Sequence, residues 1–273
     1  MQAHHPAVHA VDAENVVGVI DAILDGNLAV WQIVNMGHLR GESIRAALGT
    51  LLVVVLCAPQ PAAQAPPMSN GVDPKLTAAI AWYTGTAGHV DDDRAHGLLL
   101  QAVADDDPVS VMWLARCHSR GRMRFERDAA KANALASRVN GDIGRLAETD
   151  VPEAVFLTGT AYDEGLGVAV NASLAAAWFH RAADLGHLLA KHNLGNAYAD
   201  GRGVPQSDAM AVYWWREPAD AGDAIPQFRL AKMYEEGRGV PRNPLLALQW
   251  YRRSAERGHG PAREALTRLG AGR

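Results

Sequence analysis

The chain has 273 residues, a formal net charge of -4, 48% hydrophobic residues and only 6% aromatic ones. The near-neutral balance excludes a nucleic-acid module held by bulk positive charge. Two cysteines, Cys57 and Cys117, exclude a multi-bridge disulfide framework.

The first informative segment is AALGTLLVVVLCA at 46–58, an uncharged run too short for a comfortable membrane span. Arg40 and Arg45 precede it, and AAQA at 62–65 follows. Positive start, apolar centre and small-residue end predict a secretory signal peptide over 36–65, opening at Met36. Residues 1–35 are then an upstream over-extension or disordered, and 66–73 a linker. Export would make the mature protein periplasmic or secreted, not an integral membrane protein, with Cys117 its only cysteine. The alternative is a cytoplasmic adaptor that starts at Met1 and uses 46–58 as a core helix; separately, 13–34 reads as an amphipathic helix if residues 1–35 belong to the protein. Leu56 stands where a lipobox needs a small residue, which argues against an acyl chain on Cys57.

From residue 74 onward the chain repeats. Tyr162, Tyr198 and Tyr234 follow one another at a fixed step, and so do Trp178, Trp214 and Trp250. Each tyrosine opens a seven-residue loop, YDEGLGV, YADGRGV or YEEGRGV, that holds Gly165 and Gly167, Gly201 and Gly203, or Gly237 and Gly239. A turn recurring at a fixed period is the signature of a stacked repeat, whereas a phosphate loop is needed once and carries GK[ST]. Ala190, Leu194, Ala197 and Tyr198 fall on one helical face. Gly201 then closes that helix in the left-handed region. Asn171, Ser207 and Asn243 are N-caps of a second helix, and Pro244 suits its first position. Pro218 inside a second helix removes one backbone bond, to the Trp214 carbonyl, and should bend it. Such a hairpin buries its apolar face only by stacking on neighbours, so the fold class is all-α, an α-solenoid. Register matching gives five units, 74–109, 110–153, 154–189, 190–225 and 226–261, with 262–273 as a capping helix. The segment GDIGRLAETD (141–150) reads as an insertion.

The string AKHNLGNAYADGRGVPQSDAMAVYWW closely resembles the Sel1-like repeat, a relative of the tetratricopeptide repeat. The resemblance is strong over 154–261, moderate over 110–140 and weak over 74–109. It implies a right-handed superhelix that acts as a scaffold or adaptor for a protein or peptide. Exported bacterial relatives imply a role in envelope assembly or host contact. A cysteine-rich, β-lactamase-like branch implies an envelope hydrolase instead, but the repeats here lack its paired cysteines and S-x-x-K.

No catalytic constellation is visible: H-E-x-x-H, G-x-S-x-G and C-x-x-C are missing. No cofactor and no metal site is expected, because His187 and His192 make only a pair and zinc needs three or four ligands. Asp91, Asp92 and Asp93 read as a helix start, and Cys117 as a small core residue. In a solenoid of this type the first helices line the concave face. One slot of that face runs Trp113, Leu157, Asn193, Arg229, and the next Arg116, Thr160, Asn196, Lys232. We expect Trp113, Arg116, Asn193, Asn196, Arg229 and Lys232 to form an exposed stripe for a protein or peptide, with Trp113 among its anchors. The basic loop Arg120, Arg122, Arg124 and Arg127 would favour an anionic envelope component.

Overall fold

The computed structural model describes residues 72–271, which belong to one compact unit. The expected signal peptide and the alternative helix over 13–34 lie outside the described residues. The described residues form eleven α-helices and one short 3-10 turn, with no strand.

The helices pair in chain order: α1 (Pro74–Thr84) with α2 (Asp92–Ala102), α3 (Pro108–Arg120) with α4 (Ala129–Glu148), and α5 (Pro152–Glu164) with α6 (Ala172–Asp184). Next come α7 (Leu188–Asp200) with α8 (Asp208–Asp220) and α9 (Ala224–Glu236) with α10 (Pro244–Glu256). A single helix, α11 (Gly260–Arg268), closes the array against α10. The closure is also polar: the Tyr251 hydroxyl donates to Glu235 at 2.6 Å, and Arg268 donates to both oxygens of the same carboxylate at 2.8 and 2.9 Å.

One hydrogen bond recurs in all five pairs. The N-cap residue of each second helix donates its backbone N–H to the carbonyl at the tyrosine position of the first. The pairs are Asp91 to Trp82 (3.0 Å), Asp128 to His118 (2.8 Å), Asn171 to Tyr162 (2.9 Å), Ser207 to Tyr198 (2.9 Å) and Asn243 to Tyr234 (2.8 Å). The same N-cap side chains accept the N–H three residues on. Gly85, Gly121, Gly165, Gly201 and Gly237 end the first helices at φ between 68° and 88°.

The second loop glycine has a separate task. Gly203 has a φ of 72°, and a Cβ there would run into the Ala172 carbonyl at the start of α6. Gly239 meets Asp208 at the start of α8 in the same way. These glycines let each loop lie against the preceding pair, so they set the stacking as well as the turn.

Two sequence expectations are refined. The inserted stretch is helical: 141–148 forms the last turns of α4, which runs to 20 residues where α6, α8 and α10 have 13. Among the aromatic pairs, the residue after the repeated tryptophan is the deeper one: Phe179, Trp215 and Tyr251 are at most 3% exposed, while Trp178 and Trp214 are half-buried. Gly195 explains the fit at Trp215, whose indole occupies the space a Cβ at 195 would need. Gly159 does the same for Phe179, at 2.8 Å. Helix α8 runs through Pro218, which is buried two residues before its end.

Candidate functional site

The inner face of the array is built from the first helices, and its access is set by the first pair. The Val90 N–H donates to the Arg257 carbonyl at 2.8 Å, and Arg257 Nη1 donates to the Gly88 carbonyl at 2.9 Å. The array therefore curls until its first loop touches the end of α10. On the way, α1 crosses the N-terminal ends of the first helices: Val72, Thr77 and Ile80 face Pro152, Glu153 and the 185–189 turn. Tyr83 and Thr84 face Arg116, Leu189, His192, Asn193, Asp223 and Ile225.

This placement divides the expected stripe. Trp113, expected as an exposed anchor, is instead fully buried, and this corrects the sequence reading. Its indole N–H donates to Glu153 Oε1 at 2.6 Å, so the ring belongs to the seam between α3 and α5. Arg116, also expected on the surface, is 4% exposed, with its guanidinium carbon 4.5 Å from the Trp113 ring centre and 5.2 Å from that of Phe156. Leu157 and Thr160, in the same slots one unit on, are buried too. Asn193 and Asn196 are half-buried, and Asn196 accepts from the Trp215 indole at 3.2 Å. Arg229 and Lys232 are exposed. The open part of the inner face is thus its C-terminal end, the cations Arg229 and Lys232 beside half-buried Asn196, while half-buried Asn193 faces Tyr83 and Thr84 of α1 and Arg229 lies over the buried Trp215 ring at 5.7 Å.

Behind the stripe sits a buried polar network. Glu153 joins the Trp113 indole to His187 Nε2, 2.8 Å from its second oxygen, and His187 stacks on Phe156 with centroids 4.4 Å apart. Burial pushes the Glu153 carboxyl up, but His187, the two hydrogen bonds and Arg116 outweigh it and hold the group below the usual carboxylate range. His192 pairs separately with Asp223 at 2.8 Å. The two histidines considered as a metal pair therefore serve different carboxylates. Among the described residues, no group of three or more metal-binding side chains converges. Cys117 is fully buried, and burial pushes its thiol up to about 12, so it is a core residue and not a reactive thiol.

The basic loop is largely consumed inside the molecule. Arg122 donates to Glu164 at 2.6 Å, Arg120 lies 3.6 Å from the same carboxylate, and Arg124 pairs with Asp93 at 2.9 Å. Ser119 also hydrogen-bonds Glu164. These contacts tie α3 to α5 and the 121–128 loop to α2, while Arg127 stays exposed. The signal that sequence reading missed lies in Asp93 and Glu164, acids that sit opposite the arginines only once the units are stacked.

Outside this face, a groove of about 730 Å³ follows the outer side of α8 and is lined by Tyr213, Trp214, Lys191, Arg216, Glu217 and Val240. Tyr213 is 65% exposed there. Lys191 bridges to Glu217 at 2.5 Å across the groove.

Fold and inner face define a helical-repeat protein whose side-chain stripe is buried over its N-terminal units and open only toward its C-terminal end. The family model of the Sel1 repeat matches residues 108–138, 152–187, 188–223 and 227–259. The chain belongs to the Sel1 repeat family. Among solved structures it is similar to a Sel1 repeat protein from Oxalobacter formigenes, at 31% identity and a TM-score of 0.45, over 66% of this chain and 50% of that one. It is also similar to a protective antigen of uropathogenic Escherichia coli with an SLR fold, at 26% identity and a TM-score of 0.47, over 72% and 41%. An immunity protein from Pseudomonas aeruginosa matches at 22% identity and a TM-score of 0.40, over 72% and 70%. The chain spans half or less of the length of the first two. No curated protein matches it.

Proposed function

We propose that this protein is a non-catalytic adaptor that binds a protein or peptide on the C-terminal half of its inner face, through Asn193, Asn196, Arg229 and Lys232. The observation that supports this most is the contrast within one stripe. Its N-terminal members are locked into the core, while Arg229 and Lys232 stay exposed beside two amides. Exposed cations beside half-buried amides suit an extended segment with acidic side chains or a free carboxylate. Membership of the Sel1 repeat family agrees with a binding role. The signal-like segment over 36–65 favours export, so we place the partner in the envelope or at a contact with a host.

The test is a charge reversal. Arg229→Glu with Lys232→Glu should lose the partner recovered by the wild-type protein from envelope extract, while Tyr213→Ala on the outer face should keep it. Equal recovery by all three would refute the site. In parallel, β-lactam or peptidoglycan hydrolysis by purified wild-type protein would overturn the non-catalytic reading.

A further inference from the structure

The first helix pair is joined to the array differently from the later pairs. In the later loops Gly167, Gly203 and Gly239 let the chain lie close against the preceding second helix. The matching residue of the 121–128 loop, which meets α2, is Met123 at a φ of 49°, and Arg124 follows at 58°. Two consecutive residues with side chains are thus held in the left-handed region, a strained arrangement. Met123 is buried, its carbonyl accepts from His96 Nδ1 of α2 at 2.9 Å, and Phe125 stacks on the His96 ring at 4.0 Å. Parting α2 from this loop would free the strained stretch to relax.

The seam beneath α1 is also unlike a core. Tyr83 and Thr84 face Arg116, His192, Asn193 and Asp223, a mostly polar set. Arg116 Nε and Nη1 have no acceptor there. A cavity of about 30 Å³ stays between the facing side chains, and a groove of about 480 Å³ runs between α1 and the 185–189 turn. Polar, gapped and incompletely satisfied contacts suit surfaces that part, as between domains, because unpaired buried groups weaken the closed form. Across the inner face the loop of this pair is fastened where Val90 and Gly88 meet Arg257. Its covalent link to α3 is the 103–107 stretch, a 3-10 turn over Val103–Asp105 followed by Asp106 at a φ of 57°.

We propose that the first helix pair is a hinged lid, which swings as a unit about the 103–107 stretch when the Arg257 latch lets go and uncovers the N-terminal half of the inner face. The uncovered surface carries Arg116, in the slot of Asn196 and Lys232, and Asn193, in the slot of Arg229. Opening lengthens the stripe available to one extended peptide segment, and the closed lid limits it to the C-terminal end. That consequence rests on reading the inner face as the recognition surface; the opening itself does not.

The test needs no partner and uses the full chain with Cys57→Ser. Cys117 is fully buried in one cluster with Leu76 and Ala79 of α1 and Ala95 and Leu99 of α2, so its thiol reports opening of this pair. Labelling by a thiol reagent under native conditions tracks the open population. Arg257→Ala removes the donor to the Gly88 carbonyl and should speed labelling of Cys117 about tenfold, the scale of a lost charge-assisted hydrogen bond. Ala197→Cys, in the same slot two units on, should label at a rate that Arg257→Ala leaves unchanged. A Cβ at Gly85 would lie 3.5 Å from that of Arg257, within disulfide reach. Gly85→Cys with Arg257→Cys should therefore label more slowly at Cys117 when oxidised than when reduced. If that double variant does not fold, the Arg257→Ala comparison decides alone. An unchanged rate at Cys117, equal acceleration at positions 117 and 197, or equal rates in the oxidised and reduced lock would overturn the lid. Partner loss on Arg229→Glu with Lys232→Glu is a separate result, so either reading can fail without the other.

Discussion

At the scale of single residues, the chemistry concentrates where sequence reading expected surface. Glu153 is the clearest case, since it accepts from Trp113 and pairs with His187 inside the seam between units. Glu153→Gln should cost about 1.5–3 kcal/mol at neutral pH, the range for a hydrogen bond to a charged group. The sign follows from the depressed folded-state pKa. The stabilisation is present above the unfolded-state value and is lost as pH falls through the folded-state value. Urea denaturation should therefore show a gap between wild type and variant at neutral pH that closes under acid conditions below the usual carboxylate range. A gap that stays constant with pH would mean that the ionised carboxylate is not what stabilises the seam. The placement of Trp113 was not legible from sequence, because its slot holds Leu157, Asn193 and Arg229 in later units. The slot marks a direction on the helix. Whether that direction is open depends on what lies across it. Cys117 was legible, because the apolar slot just before the tyrosine position is core in the last four units, at Cys117, Ala161, Ala197 and Met233.

At the scale of the element, the repeat is a helix pair and a loop whose two glycines do different work. Gly186 and Gly203 test the distinction. Both have positive φ, but nothing lies within 4 Å of a Cβ at Gly186, while one at Gly203 collides with the Ala172 carbonyl. Gly186→Ala should cost about 1–2 kcal/mol, the left-handed penalty alone. Gly203→Ala adds a backbone clash to that penalty and should be distinctly worse by denaturant midpoint, with a linked loss of α6–α8 packing seen by near-UV circular dichroism. Equal costs would show that the loop does not rest on the preceding pair. The turn itself was readable from the period, the N-cap residues and Gly201. The docking of Gly203 was not, because its neighbour is backbone some 30 residues earlier, and backbone leaves no sequence signature. The insertion GDIGRLAETD was legible, but its form was not: its two glycines sit in a helix whose Val139, Ile143 and Ala147 continue one buried face.

At the scale of the molecule, the five pairs do not form an open rod. The first pair lies over the N-terminal part of the inner face and reaches α10 through Val90, Gly88 and Arg257. That contact should be separable. Arg257→Ala should raise amide exchange across 85–91 while leaving the 165–171 loop unchanged, and unchanged exchange at both loops would argue against the latch. The weak match of 74–109 to the repeat pattern is the sequence trace of this departure, since a pair that crosses the face need not present repeat surfaces on both sides. What sequence could not supply is the consequence, a stripe half closed and half open. The most direct measurement of the central claim is photo-crosslinking in the native host, with the probe placed in turn at Lys232 on the open inner face and at Tyr213 on the outer groove. The account predicts a discrete adduct from Lys232 that disappears when Arg229 is changed to Glu, and none from Tyr213. An adduct from Tyr213 alone would place recognition on the outer face and contradict it.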